Sequence, residues 1–371
     1  MAFYLAVAAP NDNALTIIDA TNPAAPAFIG SIAGAGPPNF LGGATLVQIV
    51  THYAYVTAFA DNSLTIIDIA DPTAPVFVGH IAGAGAPNFL DGATGFHVIG
   101  HYAYVAAFTD NSLTVIDITN KAAPAFVANI AGAGAPNFLG GPYWVRIDGN
   151  QAYVTTHLDN SLTVIDITNP AAPVFLANIA GAGPPNFLNT PAEVNIDGNT
   201  AYVAAVNDNS LSIFDITNPA APVFLANIAG VGAPNFLGGP IAVKILGNYA
   251  YVGAIADISL SIFDITNPAA PIFVGHIAGA GPPNFLNTPV GVLPCVNHVY
   301  VGAQGDNSLT VIDATNPAAP AFAGHLAGIG APNFLGGASN SFYFTYTPPA
   351  PPAPPSYPKP SVQTLPATNV T

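Results

Sequence analysis

Charge is scarce in this chain. Asp, Glu, Lys and Arg together make up 6% of 371 residues, against about 25% in ordinary soluble proteins. Only Lys121, Arg146, Lys244 and Lys359 are basic. No basic stripe can neutralise phosphates, which argues against nucleic acid as a partner. Cys295 stands alone, excluding an internal disulfide and any cysteine-based metal site. Apolar stretches are cut by Pro, Gly and Asn well short of a membrane span. The opening "MAFYLAVAAP" lacks a basic n-region and overlays "THYAYVTAFA" at 51–60 when shifted by 49. It reads as a strand and not as a signal peptide, with export by another route left open. The Gly-rich loops lack G-x-G-x-x-G spacing, precede strands and carry no Lys, so they are no phosphate cradle. Neither G-x-S-x-G nor H-E-x-x-H occurs, and no catalytic residue, metal site or cofactor is assigned.

What the chain does have is Pro, Gly and apolar residues in a fixed order. Its 38 prolines and 36 glycines recur at regular intervals, and 51% of the residues are hydrophobic. The loop "IAGAGAPNFLDG" has a near-copy every 49 residues, so that Asn39, Asn88, Asn137, Asn186, Asn235, Asn284 and Asn333 fall in register without insertion or deletion. Within one unit, residues 46–81, four short strands are read and no helix: "LVQIV", "YAYVTAF", "LTIIDI" and "VFVGHI". Val, Ile, Thr, Tyr and Phe fill the strands, and Asn, Asp, Gly and Pro fill the joints. "LTIIDI" is apolar on both faces, as suits a sheet covered on both sides.

Seven four-stranded units of 49 residues predict an all-β fold, a single seven-bladed β-propeller over 1–344. The amino end begins without a first strand, and "ASNSFYF" at 338–344 aligns with the first strand "ATLVQIV" at 44–50. The carboxyl end is therefore expected to complete the blade that the amino end begins, which removes an exposed sheet edge. A Pro-rich tail, 345–371, follows.

"NSLTVIDITNPAAPVFLANI" and "GNQAYVTTHLDNSLTVIDI" resemble the LVIVD repeat, a propeller-forming motif. The resemblance covers 1–344 and departs from the family in a longer link between one unit's fourth strand and the next unit's first. It implies binding or scaffolding at a cell surface and brings no catalytic residues with it.

Two rings of carboxylates recur. Asp61 and its copies sit in a hairpin turn that favours Asp and Asn, and Asp68 and its copies precede turns where a carboxylate accepts local N–H bonds. That local reading fits better than cation binding. The loop aromatics Phe40, Phe89, Phe138, Phe187, Phe236, Phe285 and Phe334 are expected to tuck between blades as structural anchors, each contributing about 1.5–3 kcal/mol. A seven-fold ligand site is the alternative. His80, His276 and His325 share one outer-strand position and read as a solvated rim.

The copies disagree on the innermost strand. One position reads Gln48, His97, Arg146, Asn195, Lys244, Leu293 and Phe342; two residues earlier it reads Leu46, Gly95, Trp144, Glu193, Ala242, Gly291 and Asn340. A strand's period of two puts both sets on one side, toward the axis. They are either channel residues that face water and vary freely, or a site for a small anionic or sugar-like ligand. In the second case Arg146, Lys244 and His97 hold the ligand, Glu193, Asn195 and Gln48 line it and Trp144 is the stacking platform.

The tail "TYTPPAPPAPPSYPKP" predicts an extended polyproline segment. The composition as a whole predicts a non-enzymatic structural or adhesive protein, extracellular or on a cell or particle surface, with a cytoplasmic placement left open. It would associate with itself or a particle, its tail docked on a neighbour. A lectin-like propeller that binds glycan at the loops or the axis is the alternative.

Overall fold

The computed structural model describes residues 2–339 and, for the backbone, 341–346. Seven four-stranded antiparallel sheets make up the chain, with one 3-10 turn, Gln304–Asp306, as the sole helical element among the described residues. In the second blade the order from the axis outward is Ala44–Val50, Tyr53–Ala58, Ser63–Asp68 and Val76–Ala82. Five later blades repeat it. In the first blade the innermost strand is Ser341–Tyr346, paired antiparallel with Ala2–Ala9 from Ala2↔Tyr346 to Val7↔Ser341. The ring is closed by the carboxyl-terminal strand. It runs two residues past the expected boundary at 344, and the rest of the tail lies outside the described residues.

Second and third strands are buried on both faces, because each sheet is covered by the sheets beside it. Leu64, Ile66 and Ile67 of one third strand are all 0% exposed. Ile66 packs among residues of the following blade, Phe96, Val98, Ala103 and Val105, while Ile67 packs among Ala6, Ala8, Leu15 and Ile17 of the preceding one. This explains why these strands carry no polar alternation beyond Ser and Thr. Each third strand meets its outer neighbour through a bulge, as between Ile66 and Ile67, which adds local twist.

The turn joining second and third strands places Asn62 at φ 51°, and Asn13, Asn111, Asn160, Asn209 and Asn307 lie within two degrees of it. Asn tolerates this left-handed conformation better than other non-glycine residues. Ile258 occupies the same position at φ 52°.

Candidate functional site

The joint between blades is built on the crossover loop. Asp61, in a hairpin turn of the second blade, accepts hydrogen bonds from the backbone N–H of Gly36 (2.9 Å) and Gly42 (2.6 Å) in the loop arriving from the first. Asp110, Asp159, Asp208, Asp257, Asp306 and Asp12 do the same in turn. The reading of these carboxylates as residues serving only their own turn is therefore corrected: each clasps a loop 19 to 25 residues earlier, or across the ring closure for Asp12. Asp19, Asp68 and their copies do bond locally, each accepting from the N–H two residues on. Asn39 closes the loop with Nδ2 donating to Ala33 O at 2.7 Å.

The loop Phe sits at φ between 45° and 51° in all seven copies. That conformation turns its carbonyl inward, where Thr65 Oγ1 donates to Phe40 O at 2.7 Å and Thr16 Oγ1 donates to Phe334 O at 2.6 Å. The ring itself is only half-buried. The fully buried loop anchor is the next residue, Leu41, Leu90, Leu139, Leu188, Leu237, Leu286 or Leu335, each 0% exposed. Phe40 lies against the next blade's outer strand, on Phe77 and flat on His80 at 3.6 Å. Phe236 on His276 (3.6 Å) and Phe285 on His325 (3.9 Å) repeat the stack. His80 and His276 are partly covered and cap the loop aromatic, whereas His325 stacks in the same way but stays exposed, as expected of a solvated rim. Burial lowers the pKa of His80 and His276, which keeps the stacked ring neutral.

The structure brings the axial residues together. Inner strands Ala44–Val50, Ala93–Ile99, Pro142–Asp148, Pro191–Asp197, Pro240–Leu246 and Pro289–Cys295 pack side by side around the axis. Four of the named side chains also staple one inner strand to the next. Gln48 Oε1 accepts from Val98 N at 2.8 Å and its Nε2 donates to Val98 O at 3.3 Å. His97 Nδ1 accepts from Ile147 N at 3.4 Å. Glu193 Oε2 accepts from Val243 N at 3.1 Å, and Asn195 Nδ2 donates to Val243 O at 3.4 Å. Glu193, 1% exposed, forms an ion pair with Lys244, whose Nζ lies 5.0 Å from the centre of the Trp144 ring. Burial pushes the Glu193 carboxyl up, and the Lys244 ammonium and Val243 N–H pull against it. His97 is pushed down to about 4 by burial, with Arg146 and Lys244 adding to the effect. Arg146 has no hydrogen-bond or ion-pair partner among the described residues. The side chains of Asn340 and Phe342 lie outside the described residues.

Above this cluster, at the end where crossover loops enter, a cavity of about 530 Å³ opens on the axis. Phe59, Phe108, Tyr143 and Trp144 supply aromatic walls, and His157 and Gln304 complete the rim. His157 stacks on Tyr143 at 4.1 Å and meets the edge of Phe108 at 5.8 Å. Its Nε2 is buried without a hydrogen-bond partner, and burial holds the imidazole down to about 4. The backbone needs glycine at Gly95, where a Cβ would sit 2.5 Å from Tyr143 O and 2.6 Å from Trp144 Cα.

Sequence reasoning named Trp144 here and missed Tyr143, His157 and Gln304. Strict alternation points residue 143 away from the axis, but the inner strands of the second to seventh blades bulge near their starts, as between Pro142 and Trp144. That bulge turns Thr45, Tyr143 and their equivalents into the mouth. A signal was available: two residues before the turn Asp, the copies read Pro10, Phe59, Phe108, His157, Val206, Ile255 and Gln304.

Closed ring, inter-blade clasps and axial mouth define a seven-bladed β-propeller. Residues 4–33, 41–82, 92–131, 144–180, 192–229, 240–278 and 297–327 each match the LVIVD repeat, and the chain belongs to the LVIVD-repeat family. No curated protein matches it in sequence. Among solved structures, a Lactobacillus plantarum protein aligns at TM-score 0.73 and 14% identity, over 93% of this chain and 100% of that one. A protein of unknown function from Desulfotomaculum acetoxidans aligns at TM-score 0.68 and 13% identity, over 93% and 99%. The periplasmic gluconolactonase of Pseudomonas aeruginosa aligns at TM-score 0.71 and 14% identity, over 94% and 100%. At such identities the likeness is one of fold. No helix among the described residues is long and apolar enough to cross a membrane, and none of their His, Cys, Asp or Glu side chains group in threes around a metal-sized site.

Proposed function

We infer that this LVIVD-repeat propeller is a non-enzymatic structural protein that acts by display and assembly, outside the cytoplasm on a cell or particle surface. One observation carries the reading. The outer strands present an apolar residue at the same position in blade after blade: Val76, Val174 and Val223 are each 59% exposed and Ile272 is 64% exposed. Outer strands also leave backbone donors and acceptors unpaired, so the rim combines apolar surface with free sheet edge. The repeated Asp of the hairpin turn is meanwhile committed to the inter-blade joint, and the repeated Asn of the crossover bonds within its own loop. The name of the Pseudomonas relative, a periplasmic protein, fits a placement outside the cytoplasm. Light scattering across a concentration series, with attachment to cell-surface or particle preparations, tests the reading. Lys at positions 76, 174, 223 and 272 together should weaken self-association or attachment and leave the melting temperature unmoved. A wild-type chain that neither associates nor attaches sinks it.

The aromatic-walled axial cavity favours a second reading, a lectin-like or small-anion binder at the axis using Trp144, Arg146, Lys244 and His97. Arg146→Ala is the cleaner test, since Arg146 makes no hydrogen bond or ion pair among the described residues and acts on His97 and Glu193 only through its charge. It should abolish glycan or anion binding without loss of stability. Lys244→Ala is not clean, because it strands the buried Glu193 carboxylate, and breaking such pairs costs about 3–5 kcal/mol.

A further inference from the structure

The hydrogen-bonding capacity of the axial mouth is lopsided. Its Thr and Ser hydroxyls have already placed their protons: Thr45 on Thr57 (3.2 Å to the carbonyl), Thr94 on Ala106 O or Pro142 O (3.2 Å each), and Ser339 on Ala8 O or Thr45 O (3.0 Å each). The groups left without partners among the described residues are the Tyr143 O–H, the Trp144 Nε1–H, the Gln304 amide and His157 Nε2. Burial raises the Tyr143 pKa, so its hydroxyl stays a donor. No free carboxylate lines the cavity, and the nearby ammonium of Lys244 is paired with Glu193. Aromatic faces with unused donors suit an uncharged ligand that is rich in acceptors, poor in donors and flat-sided. Polyproline has those properties. Its rings stack on aromatic side chains, its carbonyls point outward, and each Pro lacks an N–H. A sugar brings one donor with each hydroxyl, for which this mouth offers few acceptors.

This chain carries such a segment, "PPAPPAPP", at 348–355. We propose that this segment of one copy docks in the axial mouth of the next, an identification that rests on the assembly reading above. The topology supports the direction. Ser339, which bonds Ala8 O and Thr45 O, lies at the mouth, and the closing strand Ser341–Tyr346 runs from there to the opposite face, where Tyr346 pairs with Ala2. The Pro-rich run begins two residues beyond that strand. The mouth of its own ring is a strand length of about 20 Å away through a packed core, and no linker remains to go round. A segment leaving one face and fitting the opposite face of an identical molecule makes a heterologous, head-to-tail contact.

Trp144 is the only tryptophan, so its emission reports on the mouth in the full-length protein. Association measured by light scattering should rise with concentration in step with a shift in Trp144 emission. Excess synthetic peptide of sequence 347–360 should return the protein to monomer while keeping the shifted emission. Tyr143→Phe, removing one donor, and Gln304→Ala, removing the whole amide, should each weaken association about tenfold without moving the melting temperature. Association that ignores both the peptide and these variants leaves assembly standing and overturns the tail assignment. A monomer indifferent to the peptide overturns both. A monomer whose Trp144 emission shifts when the tail prolines become Ala puts the segment in its own mouth and overturns the head-to-tail contact.

Discussion

A single carboxylate per blade clasps two backbone N–H groups of the arriving crossover loop. Asp159 accepts from Gly134 N and Gly140 N at 2.9 and 2.7 Å, two donors that face the protein and not water. Asp159→Ala leaves both N–H groups unmatched and should cost about 1–3 kcal/mol, read as a lowered denaturant midpoint. Two other single residues set the acid limit. His97 and His157 are held to about 4 by burial, against about 6.5 in an unfolded chain. The unfolded state therefore binds more protons below 6.5. Stability is fully present above that pH and falls as the pH drops toward 4, by on the order of 1–3 kcal/mol for each ring. Arg146 and Lys244 face His97 and add to its shift, whereas burial of Glu193 works with the opposite sign. Thermal unfolding from pH 7 to 4 should show the loss. His157→Phe, the residue that Phe59 and Phe108 already supply at this position, should remove that ring's share.

At the scale of the element, strand positions were legible because period-two patterning and the spacing of 49 both report local geometry. The crossover loop was harder to read. Its apolar anchor was assigned to Phe, the larger side chain, but a φ near 50° spends Phe on delivering a carbonyl and leaves Leu41 and its equivalents to fill the core. Spacing along the chain also hides a partner on another blade, so Asp61 looked like a turn residue alone. Trp144 was named at the mouth but Tyr143 beside it was missed for a third reason, the bulge that breaks alternation where the inner strand begins. Ile258 shows what the repeat needs at a hairpin. In the other turns the Asn side chain accepts from the next crossover, as Asn62 Oδ1 does from Gly92 N at 2.8 Å and Asn160 Oδ1 from Thr190 N at 2.9 Å. Ile258 offers no acceptor to Thr288 N and places a β-branched residue at φ 52°. Ile258→Asn should relieve the strain and restore the bond, a gain of about 1–2 kcal/mol, seen as a raised melting temperature.

At the scale of the molecule, seven near-identical blades need a joint that distinguishes a ring from an open stack, and the chain places it at its two ends. Residues more than 300 apart meet there: Asp12 clasps Gly330 N and Gly336 N at 3.0 and 2.7 Å, Thr16 bonds Phe334 O, and Ser339 bonds Ala8 O. The strand Ser341–Tyr346 then supplies the first blade's axial edge. These contacts have counterparts in the other blades, but they form only when both ends of the chain are present. Deleting residues from 338 onward removes Ser339 and the whole inner strand, and leaves Ala2–Ala9 with an open edge beside the axis. That deletion should cost several kcal/mol, since it removes a six-residue ladder together with the packing that a ring shares among neighbours. It should also expose a free edge able to recruit another chain. Deleting from 348 onward leaves every described contact in place and should shift the melting temperature little. Circular dichroism melts of the two truncations decide the matter: equal damage from both would mean that the carboxyl-terminal strand is not what holds the ring shut.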